Sequence, residues 1–591
     1  MLDTAHADAK VLVEKWLAAF EQSLQERSAA KLRSLLREEC YWRDALALTW
    51  NLVTMEGQSN VVARLHDVAN NSGFTSLVLD ENAPEPKSVT RVGQSVIEAF
   101  FKFETTLGRG RGIVRLASPD DEMELPQAWT LLTALHELKG FEEQTGNNRP
   151  TGQSHSRDFR GPNWLDQRQA SKAYDDRDPT VLVIGGGQAG LAAAARLTQL
   201  GVDTLIIDKH ERIGDNWRKR YHALTLHNQV QVNHLPYMPF PPTWPTYIPK
   251  DKLANWFENY VESLELNYWT STELLSGSYD DVAGKWTVEL RRKNGDTRSM
   301  TPKHIVMATG VSGIPHVPQL PGLESFSGKV VHSSGYEDGE DWSGKSAIVI
   351  GTGNSGHDIS QDLCSSGANV TLVQRSPTLV VNIEPSAQLP YTLYAEDMPL
   401  EDCDLITVSM PTPLVREAHV GYTEKSKELD KELLAGLQRI GFKLDFGEGG
   451  TGWQFKYLTR GGGYYFNVGC SDMLVDGKIN LSQFDEIESF TPEGAKLKNG
   501  NTVPADLIVL STGYKPQEVL VEKLFGAEVC DRVGPIWGFG DQLELRNMYC
   551  RTRQPGLWFI AGSLAQCRIN SKYLALQVKA CEEGLLPLAK N

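Results

Sequence analysis

Two glycine-rich turns of one pattern, each directly after a short apolar strand, constrain the fold of this chain more than any other feature. They lie at 181–190 and 347–356, and each reads as a strand followed by Gly-x-Gly-x-x-Gly. In such a unit the first glycine makes a tight turn, the second lets a pyrophosphate approach the backbone, and the third lets helix and strand pack closely. The sequence therefore predicts an α/β fold with two Rossmann-like dinucleotide-binding domains. The six glycines are Gly185, Gly187, Gly190, Gly351, Gly353 and Gly356.

The residue after the next strand predicts which nucleotide each unit binds. In the first unit that strand ends on Asp208, followed by Lys209, and a carboxylate there can accept hydrogen bonds from ribose hydroxyls. In the second unit the strand runs into Arg375 and Ser376. A guanidinium can bind a 2′-phosphate bidentately, where an acid would repel it. The second site is therefore expected to prefer NADPH over NADH, although an ordinary surface arginine remains the alternative.

The residues after the central glycines begin the two helices. A helix N-terminus offers free amides and a positive dipole to a phosphate, so Gln188 and Ala189 are expected beside one pyrophosphate. Asn354 and Ser355 are expected to cap the second helix and to reach the other pyrophosphate. A glycine turn without a ligand is the alternative for each unit.

Each unit later repeats a turn and a strand that ends in Thr-Gly. These pairs are Thr309-Gly310 and Thr512-Gly513. Two modules of one plan in a single chain suggest two nucleotides held face to face. With NADPH on the second module, FAD is the expected occupant of the first.

Composition and charge exclude several other classes of protein. The 591-residue chain carries 75 acidic and 59 basic side chains, a net charge of −16, which argues against nucleic acid or an anionic membrane as a partner. No apolar run approaches the roughly 20 residues of a membrane helix, and the N-terminus lacks a signal-peptide pattern. Eight cysteines without Cys-x-x-Cys support neither a metal site nor a dithiol centre. A reduced, cytoplasmic protein is expected.

The segment between the two glycine turns resembles a known family. Phe326-Ser-Gly-Lys-Val-Val-His332-Ser-Ser-Gly-Tyr336 is similar to the Phe-x-Gly-x3-His-x3-Tyr/Phe fingerprint of flavin-containing monooxygenases, the class B flavoprotein monooxygenases. Gly214-Asp-Asn-Trp217 resembles the family's Gly-Gly-x-Trp with its second glycine replaced. The Baeyer–Villiger branch has Trp and then Pro or Asp where this chain has Tyr336-Glu337. That difference favours the flavin-containing monooxygenase branch and its plant YUCCA-like relatives, and it leaves carbonyl oxidation open.

The resemblance implies an NADPH-dependent flavoprotein monooxygenase with FAD and NADPH as cofactors. NADPH would reduce FAD, and O2 would give a C4a-hydroperoxide that transfers one oxygen atom to a small organic substrate. Oxygenation of a nitrogen or sulfur, Baeyer–Villiger-type oxidation and oxidative decarboxylation all stay open. The resemblance also implies Trp217 near the isoalloxazine and Asn228 as the catalytic candidate near flavin and NADP⁺. A core tryptophan and a loop-capping asparagine are the respective alternatives, and His332 and Tyr336 are expected to set the interdomain geometry.

The region before the first glycine turn is expected to be a separate domain. It begins with a helix, followed by Tyr41-Trp-Arg-Asp44, Glu56-Gly57 and later strands. This order resembles the cone-shaped α+β fold of SnoaL-like polyketide cyclases and nuclear-transport-factor relatives. Asp44 and His66 are a candidate acid/base pair there, which would make the domain catalytic. The alternative is that the domain serves for docking, for dimerisation or as a cover of the pocket. The predicted domains are 1–145 (SnoaL-like), 146–178 (linker), 179–334 with 509–591 (FAD-binding), and 335–508 (NADPH-binding, with a helical insertion).

Two other functions and the oligomeric state stay open. A pyridine-nucleotide disulfide reductase shares the two-module plan but would need a Cys-x-x-Cys. A non-oxygenating NADPH oxidase or reductase, or a redox scaffold whose N-terminal cone binds a partner, is the other alternative, and a homodimer is open. A helix expected over 423–440 and the segment 461–466 are expected to shape substrate access.

Overall fold

Short runs of aliphatic residues form two parallel five-stranded sheets at the centre of the computed structural model. It describes residues 2–117, 125–151, 158–311, 313–394, 397–541 and 543–590. Strands of a parallel sheet are buried on both faces and therefore read as continuous apolar runs. Val181–Ile184, His304–Met307 and Leu507–Leu510 are buried at every position. The chain thus has the mixed α/β fold that the two glycine turns predict.

The first sheet carries the first glycine turn at the carboxyl end of its central strand. All four strand pairs are parallel. In spatial order the strands are Asn267–Trp269, Thr204–Ile207, Val181–Ile184, His304–Met307 and Leu557–Phe559. Its helices are Gln188–Gln199, Asp215–Arg218, Lys250–Ser263, Gln517–Phe525, Ala527–Val533 and Leu564–Glu582, and its hairpin strands are Glu273–Asp280, Lys285–Arg291 and Thr297–Met300.

The second sheet repeats this arrangement around the second glycine turn. Its strands, again all parallel, are in spatial order Lys329–His332, Leu507–Leu510, Ser346–Ile350, Asn369–Gln374 and Asn480–Gln483. Its hairpin strands are Ile487–Thr491, Gly494–Leu497 and Thr502–Pro504, and helix Asn354–Ser365 follows the glycine turn. Ile314–Pro315 pairs with Tyr514–Lys515 where the chain crosses between the two modules.

The strand pairing differs from the predicted domain limits at two places. Lys329–His332 lies before the predicted limit at 334/335, yet it pairs with Leu507–Leu510 in the second sheet. The limit at 508/509 falls inside that same strand. Pairing between strands distant in sequence decides membership of a sheet, and no local pattern reports it.

The helical insertion lies between 386 and 475. Its helices are Leu400–Ser409, Thr412–Leu429, Lys431–Arg439, Gly452–Arg460 and Cys470–Val475, and strands Leu379–Asn382 and Tyr464–Asn467 pair beside it. The helix expected over 423–440 is two helices that meet at Asp430. The Asp430 carboxylate accepts hydrogen bonds from the side chains of Asn382 and Ser386, which fixes the break.

The N-terminal domain is a seven-stranded, mostly antiparallel sheet with three helices. Its main path runs Leu52–Glu56, Leu36–Ala45, Ala128–Leu138, Gly108–Ala117, Gln94–Glu104 and Thr75–Leu79, with Lys87–Arg91 also paired to Gln94–Glu104. Only the pair of Leu36–Ala45 with Ala128–Leu138 is parallel. The helices are Leu2–Gln25, Ala29–Ser34 and Gln58–Ser72. This is an α+β unit, as the sequence predicts, and its SnoaL-like character stays a prediction.

The N-terminal domain packs against the rest of the chain through two helices. Leu405 and Ile406 of helix Leu400–Ser409 belong to its apolar core. On helix Leu564–Glu582, Tyr573, Leu576 and Ala580 join that core. Leu574, Ala575 and Val578 of the same helix belong instead to the core of the first nucleotide module. One helix therefore connects two hydrophobic cores.

The segment predicted as a linker contains a helix, Trp164–Ala173. Asn163 caps it in a capping box with Asp166. The Arg168 guanidinium donates to the Leu266 carbonyl at 2.5 Å, so the helix is attached to the edge of the first sheet. Residues 152–157 of the predicted linker lie outside the described residues. Throughout the described ranges, no helix combines the length and the apolar character needed to cross a bilayer.

Candidate functional site

The outer glycines of both turns are required by packing. Gly185 and Gly351 have φ of +105° and +114°, a region that disfavours any side chain. A Cβ on Gly190 would overlap the carbonyl oxygen of Gly185, and one on Gly356 would overlap that of Gly351. Each helix therefore crosses its strand as closely as the predicted units require.

The central glycines leave both helix N-termini free of side-chain caps. Gly187 and Gly353 are the N-cap residues of two 12-residue helices, and neither helix has a side-chain cap. A Cβ built on Gly353 would lie 3.9 Å from the Tyr464 carbonyl oxygen and no closer to anything else. One on Gly187 would approach the Asn216 amide nitrogen at 2.8 Å. These open amide ends fit a pyrophosphate.

Asn354 and Ser355 do not form the expected cap. The cap position is Gly353, one residue earlier. The Asn354 amide oxygen instead accepts the backbone N–H of Phe466 at 3.0 Å. The expectation that these two side chains cap the helix is therefore wrong, because Asn354 is used to hold the strand of the insertion beside the turn.

Asp208 lies at the carboxyl end of its strand and contacts the glycine turn directly. It accepts the backbone N–H of Gly186 at 2.7 Å and that of His210 at 2.8 Å, and the His210 ring Nδ1 lies 2.7 Å from its Oδ1. Burial opposes ionisation, but these hydrogen bonds outweigh it and lower the pKa of Asp208. An ionised carboxylate thus lies beside the first glycine turn, while neighbouring Lys209 is exposed.

Arg375 and Ser376 lie at the equivalent place in the second sheet, and both are exposed. Within the described part of the chain, the Arg375 guanidinium has no hydrogen bond or ion pair to other side chains or to the backbone. All five of its donors therefore remain available to an anion.

The two Thr-Gly pairs lie where the chain crosses between the modules. Gly310 and Gly513 have φ of +73° and +80°, and the Thr512 hydroxyl donates to the His316 carbonyl. The fingerprint segment is tied to the second pair, because the His332 ring Nε2 lies 3.0 Å from the Gly513 carbonyl.

At the other end of the fingerprint, the Tyr336 hydroxyl donates to Asp362 at 2.7 Å. Asp362 belongs to helix Asn354–Ser365. Both contacts join the fingerprint to other parts of the second module, so the role of His332 and Tyr336 in setting the geometry between the modules stays a prediction.

A cavity of about 850 Å³ lies between the first nucleotide module, the helical insertion and the N-terminal domain. Gln188, Trp217 and Asn228 line its side on the first module. The Trp217 indole donates to the Gln188 amide oxygen at 3.2 Å, which ties the tryptophan to the first residue of the glycine-turn helix. This volume is within the range of small-molecule sites.

Asn228 lies in the wall of this cavity. Its amide N–H donates to the Tyr391 hydroxyl oxygen at 3.3 Å, and its backbone carbonyl accepts from the Asn233 amide at 2.9 Å. Burial raises the pKa of Tyr391 to about 12, so that hydroxyl remains protonated near neutral pH. The contact orients the amide of Asn228 within the cavity.

Aromatic side chains from the insertion form the opposite wall, and sequence analysis did not identify them individually. Trp453 meets Phe466 at 4.8 Å between ring centres, edge to face, and lies 5.7 Å from Tyr464 and 6.0 Å from Tyr391. Aromatic pairs at these distances pack favourably. A glycine-flanked run of aromatics at 464–466 was the available signal, but it does not say which cavity the rings face.

The proposed Asp44–His66 pair does not form. Asp44 is buried and accepts hydrogen bonds from Thr133, from the backbone N–H of Leu48 and from the hydroxyl and backbone N–H of Thr49. Its burial raises its pKa to about 6. The His66 ring Nε2 instead lies 3.2 Å from the Arg27 carbonyl at the surface. The expected acid/base pair is therefore wrong, because Asp44 organises a turn in the domain core.

Comparison with known proteins supports a flavoenzyme. Residues 182–394 match the pyridine nucleotide-disulphide oxidoreductase family. The indole-3-pyruvate monooxygenase YUCCA1 of Oryza sativa subsp. japonica is 30% identical over 354 residues, which cover 59% of this chain and 80% of that protein. The probable indole-3-pyruvate monooxygenase YUCCA10 of Arabidopsis thaliana is 31% identical over 342 residues, covering 57% and 82%.

A solved structure shares the fold. The cyclohexanone monooxygenase from Rhodococcus sp. Phi1 bound to NADP⁺ matches with a TM-score of 0.51 and 18% identity, over 68% of this chain and 85% of that one. At this identity the match concerns the fold alone.

Proposed function

This chain belongs to the flavin monooxygenase family, and we propose that it inserts one atom of O2 into a small organic substrate bound in the 850 Å³ cavity. It is an NADPH-dependent flavoprotein monooxygenase that uses FAD and NADPH. The observation that carries the proposal is the position of the cavity, which reaches the first residue of the uncapped glycine-turn helix, Gln188, as well as Trp217 and Asn228. A substrate there would lie beside the expected flavin.

In this proposal the first module holds FAD. The uncapped helix at Gly187 offers its amides to the pyrophosphate, supported by Gln188, Ala189 and the close packing at Gly185 and Gly190. Asp208 is ionised and lies beside the turn, which suits it to accept hydrogen bonds from ribose hydroxyls. Lys209, Thr309 and Gly310 belong to the same proposed site, and Trp217 would pack near the isoalloxazine.

The second module holds NADPH. The helix N-terminus at Gly353 has no side-chain cap, and a Cβ there would meet nothing closer than 3.9 Å, which suits a pyrophosphate; Gly351 and Gly356 keep the turn compact. Arg375 is exposed and has no partner among the described residues, which suits it to the 2′-phosphate that distinguishes NADPH from NADH. Asn354, Ser355, Ser376, Thr512 and Gly513 complete the proposed site.

Bound FAD would supply the oxygen-activating chemistry, and the hydroperoxide route expected from the resemblance is part of this proposal. The chain itself binds, orients and excludes water. Asn228 would orient the cofactors at the cavity wall, where its amide is held by Tyr391. The insertion's aromatic wall would keep water from the reacting atoms.

The substrate class follows from the relatives and from the cavity. The two curated relatives are named for oxidation of indole-3-pyruvate, a carbonyl compound. An aromatic wall suits an aromatic or apolar substrate. We therefore favour oxidation of a carbonyl substrate, by oxidative decarboxylation or a Baeyer–Villiger-type reaction, over oxygenation of nitrogen or sulfur.

The domain limits other than those at 334/335 and 508/509, and the SnoaL-like character of the N-terminal domain, belong to the same proposal. The α+β sheet and its helices support that resemblance. A pocket-covering role is supported further by the N-terminal residues in the cavity wall.

Purification and turnover test this function. The protein should purify with bound flavin that is reduced by NADPH under anaerobic conditions and reoxidised by air. Screening carbonyl, amine and sulfide substrates should give one class for which oxygenated product accounts for the NADPH consumed. A flavoprotein that oxidises NADPH only to hydrogen peroxide with all three classes would support the alternative, a non-oxygenating oxidase or redox scaffold.

A further inference from the structure

The N-terminal domain closes one side of the substrate cavity with a face of its sheet. Pro84, Lys87, Val89, Arg91, Glu98 and Phe100 are among the lining residues. Alternate residues of a strand point to the same face, and Lys87, Val89 and Arg91 alternate along strand Lys87–Arg91. The family match begins at residue 182, so this wall lies outside the part of the chain that matches.

The N-terminal wall supplies the charge of the cavity. Among the described lining residues, the side chains of Asp, Glu, Lys or Arg are Lys87, Arg91 and Glu98 alone. The other walls contribute aromatic, aliphatic, amide and hydroxyl groups together with His227 and His419. Burial lowers the pKa of both histidines, to about 4 for His419, so both are neutral near pH 7.

The Glu98 carboxylate forms ion pairs with two arginines. Arg91 binds it bidentately, through Nε at 3.0 Å and Nη2 at 2.7 Å. Arg115, fully buried on the next strand and in register with Glu98, donates from Nε at 2.8 Å. Burial opposes ionisation of Glu98, but the two arginines outweigh it and lower its pKa. The carboxylate is therefore ionised, and both of its oxygens accept hydrogen bonds from arginine.

The wall consequently carries more positive than negative charge. Arg91 and Arg115 bind the Glu98 carboxylate, and Lys87 is the cross-strand partner of Glu98 on the side opposite Arg115, so three basic residues accompany one acidic residue. The other two nitrogens of the Arg115 guanidinium are also used: Nη1 donates to the Thr130 hydroxyl at 3.1 Å and Nη2 to the Ser409 hydroxyl at 2.7 Å. On Arg91, Nε and Nη2 contact Glu98, and Nη1 has no hydrogen bond to any described residue. This nitrogen and the Lys87 ammonium remain to bind an anion.

We propose that the N-terminal domain is the specificity wall of this enzyme, and that Arg91, assisted by Lys87, binds an anionic group of the substrate, a carboxylate at the end of an aromatic or apolar molecule. The inference rests on the proposed function only in taking this cavity as the substrate site. The aromatic wall of the insertion would contact the apolar part of the molecule. Arg91 is then a positioning residue, which orients the substrate without touching its reacting atoms.

Binding of a matched pair of unreactive ligands tests this proposal. The probes are 3-phenylpropanoate and 3-phenylpropanamide, which differ in charge but hardly in shape, and their Kd values are measured by calorimetry on the FAD-loaded enzyme without NADPH. A charge-assisted hydrogen bond typically contributes a factor of about ten to a hundred. The carboxylate should therefore bind the wild type about ten- to a hundredfold more tightly than the amide.

Variants separate recognition from a structural role. Arg91→Gln should abolish the preference for the carboxylate and leave amide binding nearly unchanged, while Arg91→Lys should retain part of it. Arg64→Gln is the matched control, because Arg64 pairs with Asp67 on an exposed helix of the same domain and should not alter the preference. Weaker binding of both ligands to Arg91→Gln alike would indicate a structural role only.

Several outcomes would overturn the inference. These are equal affinity of the wild type for the two probes, no carboxylate binding, or an Arg91→Gln variant with wild-type preference. Because binding is measured without NADPH, these results are distinct from failure of the proposed function, which would appear as the absence of oxygenated product.

Discussion

At the scale of single residues, the two glycine turns are equivalent in backbone but differ in what surrounds them. A Cβ added to Gly187 would lie 2.8 Å from the Asn216 amide nitrogen, whereas one added to Gly353 would meet nothing closer than the Tyr464 carbonyl oxygen at 3.9 Å. Both glycines begin helices without side-chain caps. The two sites also differ in the residue that follows the next strand of each module: Asp208 is buried, whereas Arg375 is exposed.

Gly187→Val should yield protein without bound FAD, because the added side chain would occupy the space through which a pyrophosphate approaches the helix amides. Flavin content per chain, from visible absorbance of the purified protein, measures the effect. Gly421→Val is the control, since Gly421 lies in a helix with nothing within 4 Å of an added Cβ. Normal flavin content in Gly187→Val would contradict the assignment of the first site.

Arg375→Ala should weaken NADPH far more than NADH, because only NADPH carries the 2′-phosphate. Loss of a charge-assisted contact typically costs about 1.5–3 kcal/mol, or roughly ten- to a hundredfold in KM. Steady-state kinetics with both coenzymes measure the ratio. Arg291→Ala, an exposed arginine of the first module paired with Glu273, should leave the ratio unchanged. Equal shifts in both KM values would show that Arg375 does not read the phosphate.

Asn228→Ala should preserve reduction of the flavin by NADPH but divert turnover to hydrogen peroxide. The reason is that the amide, held by Tyr391 at 3.3 Å, is expected to keep the cofactors arranged for oxygen transfer. Peroxide formed per NADPH, measured beside the melting temperature, checks this. A variant that melts lower but stays fully coupled would show that Asn228 only supports its loop.

At the scale of elements, the sequence predicts what is local. Strands Val181–Ile184 and Ser346–Ile350 are largely buried apolar runs that lead directly into glycine, so these strands and their turns follow from neighbouring residues. The break at Asp430 inside the expected helix depends on Asn382 and Ser386, more than 40 positions earlier. The missing cap at Asn354 likewise depends on Phe466. Sequence-based predictions of helix ends fail at such places because a residue distant in sequence forms the hydrogen bond that the local pattern assigns to the helix.

The packing of helix Leu400–Ser409 on the N-terminal sheet is expected to contribute to the thermal stability of the protein. Arg111 pairs with Asp402 of this helix at 2.8 Å and with Asp80 at 2.8 Å, and its side chain is 14% exposed. Removing one partner of a buried pair typically costs about 3–5 kcal/mol, so Arg111→Met should melt at a clearly lower temperature.

Arg109 on the same strand provides the control. Its pairs with Glu137 and Glu142 are exposed, and exposed pairs contribute little, so Arg109→Met should melt like the wild type. Equal melting temperatures for the two variants would contradict the packing of the N-terminal domain on the insertion.

At the scale of the whole molecule, the cavity is assembled from segments far apart in sequence. Lys87 and Arg91, Asn228, and Tyr391 and Trp453 come from three parts of the chain. The glycine turns, Asp208 and Arg375 could be identified from spacing alone. No periodicity or motif in the N-terminal domain indicates which face of its sheet meets the nucleotide modules, because that choice is made by tertiary packing. The glycine turns were therefore predictable from the sequence, the cofactor sites proposed on them stay predictions, and the N-terminal wall of the cavity was not predictable.

The central claim is that this chain transfers an oxygen atom from O2 to a substrate, and isotope labelling tests it most directly. The enzyme is supplied with NADPH, ¹⁸O2 and the best substrate from the screen, and the product is analysed by mass spectrometry. The account predicts one ¹⁸O atom in the oxygenated product and the other in water, with product formed in step with NADPH consumed. Product without ¹⁸O, or NADPH consumed only to give labelled hydrogen peroxide, would contradict it.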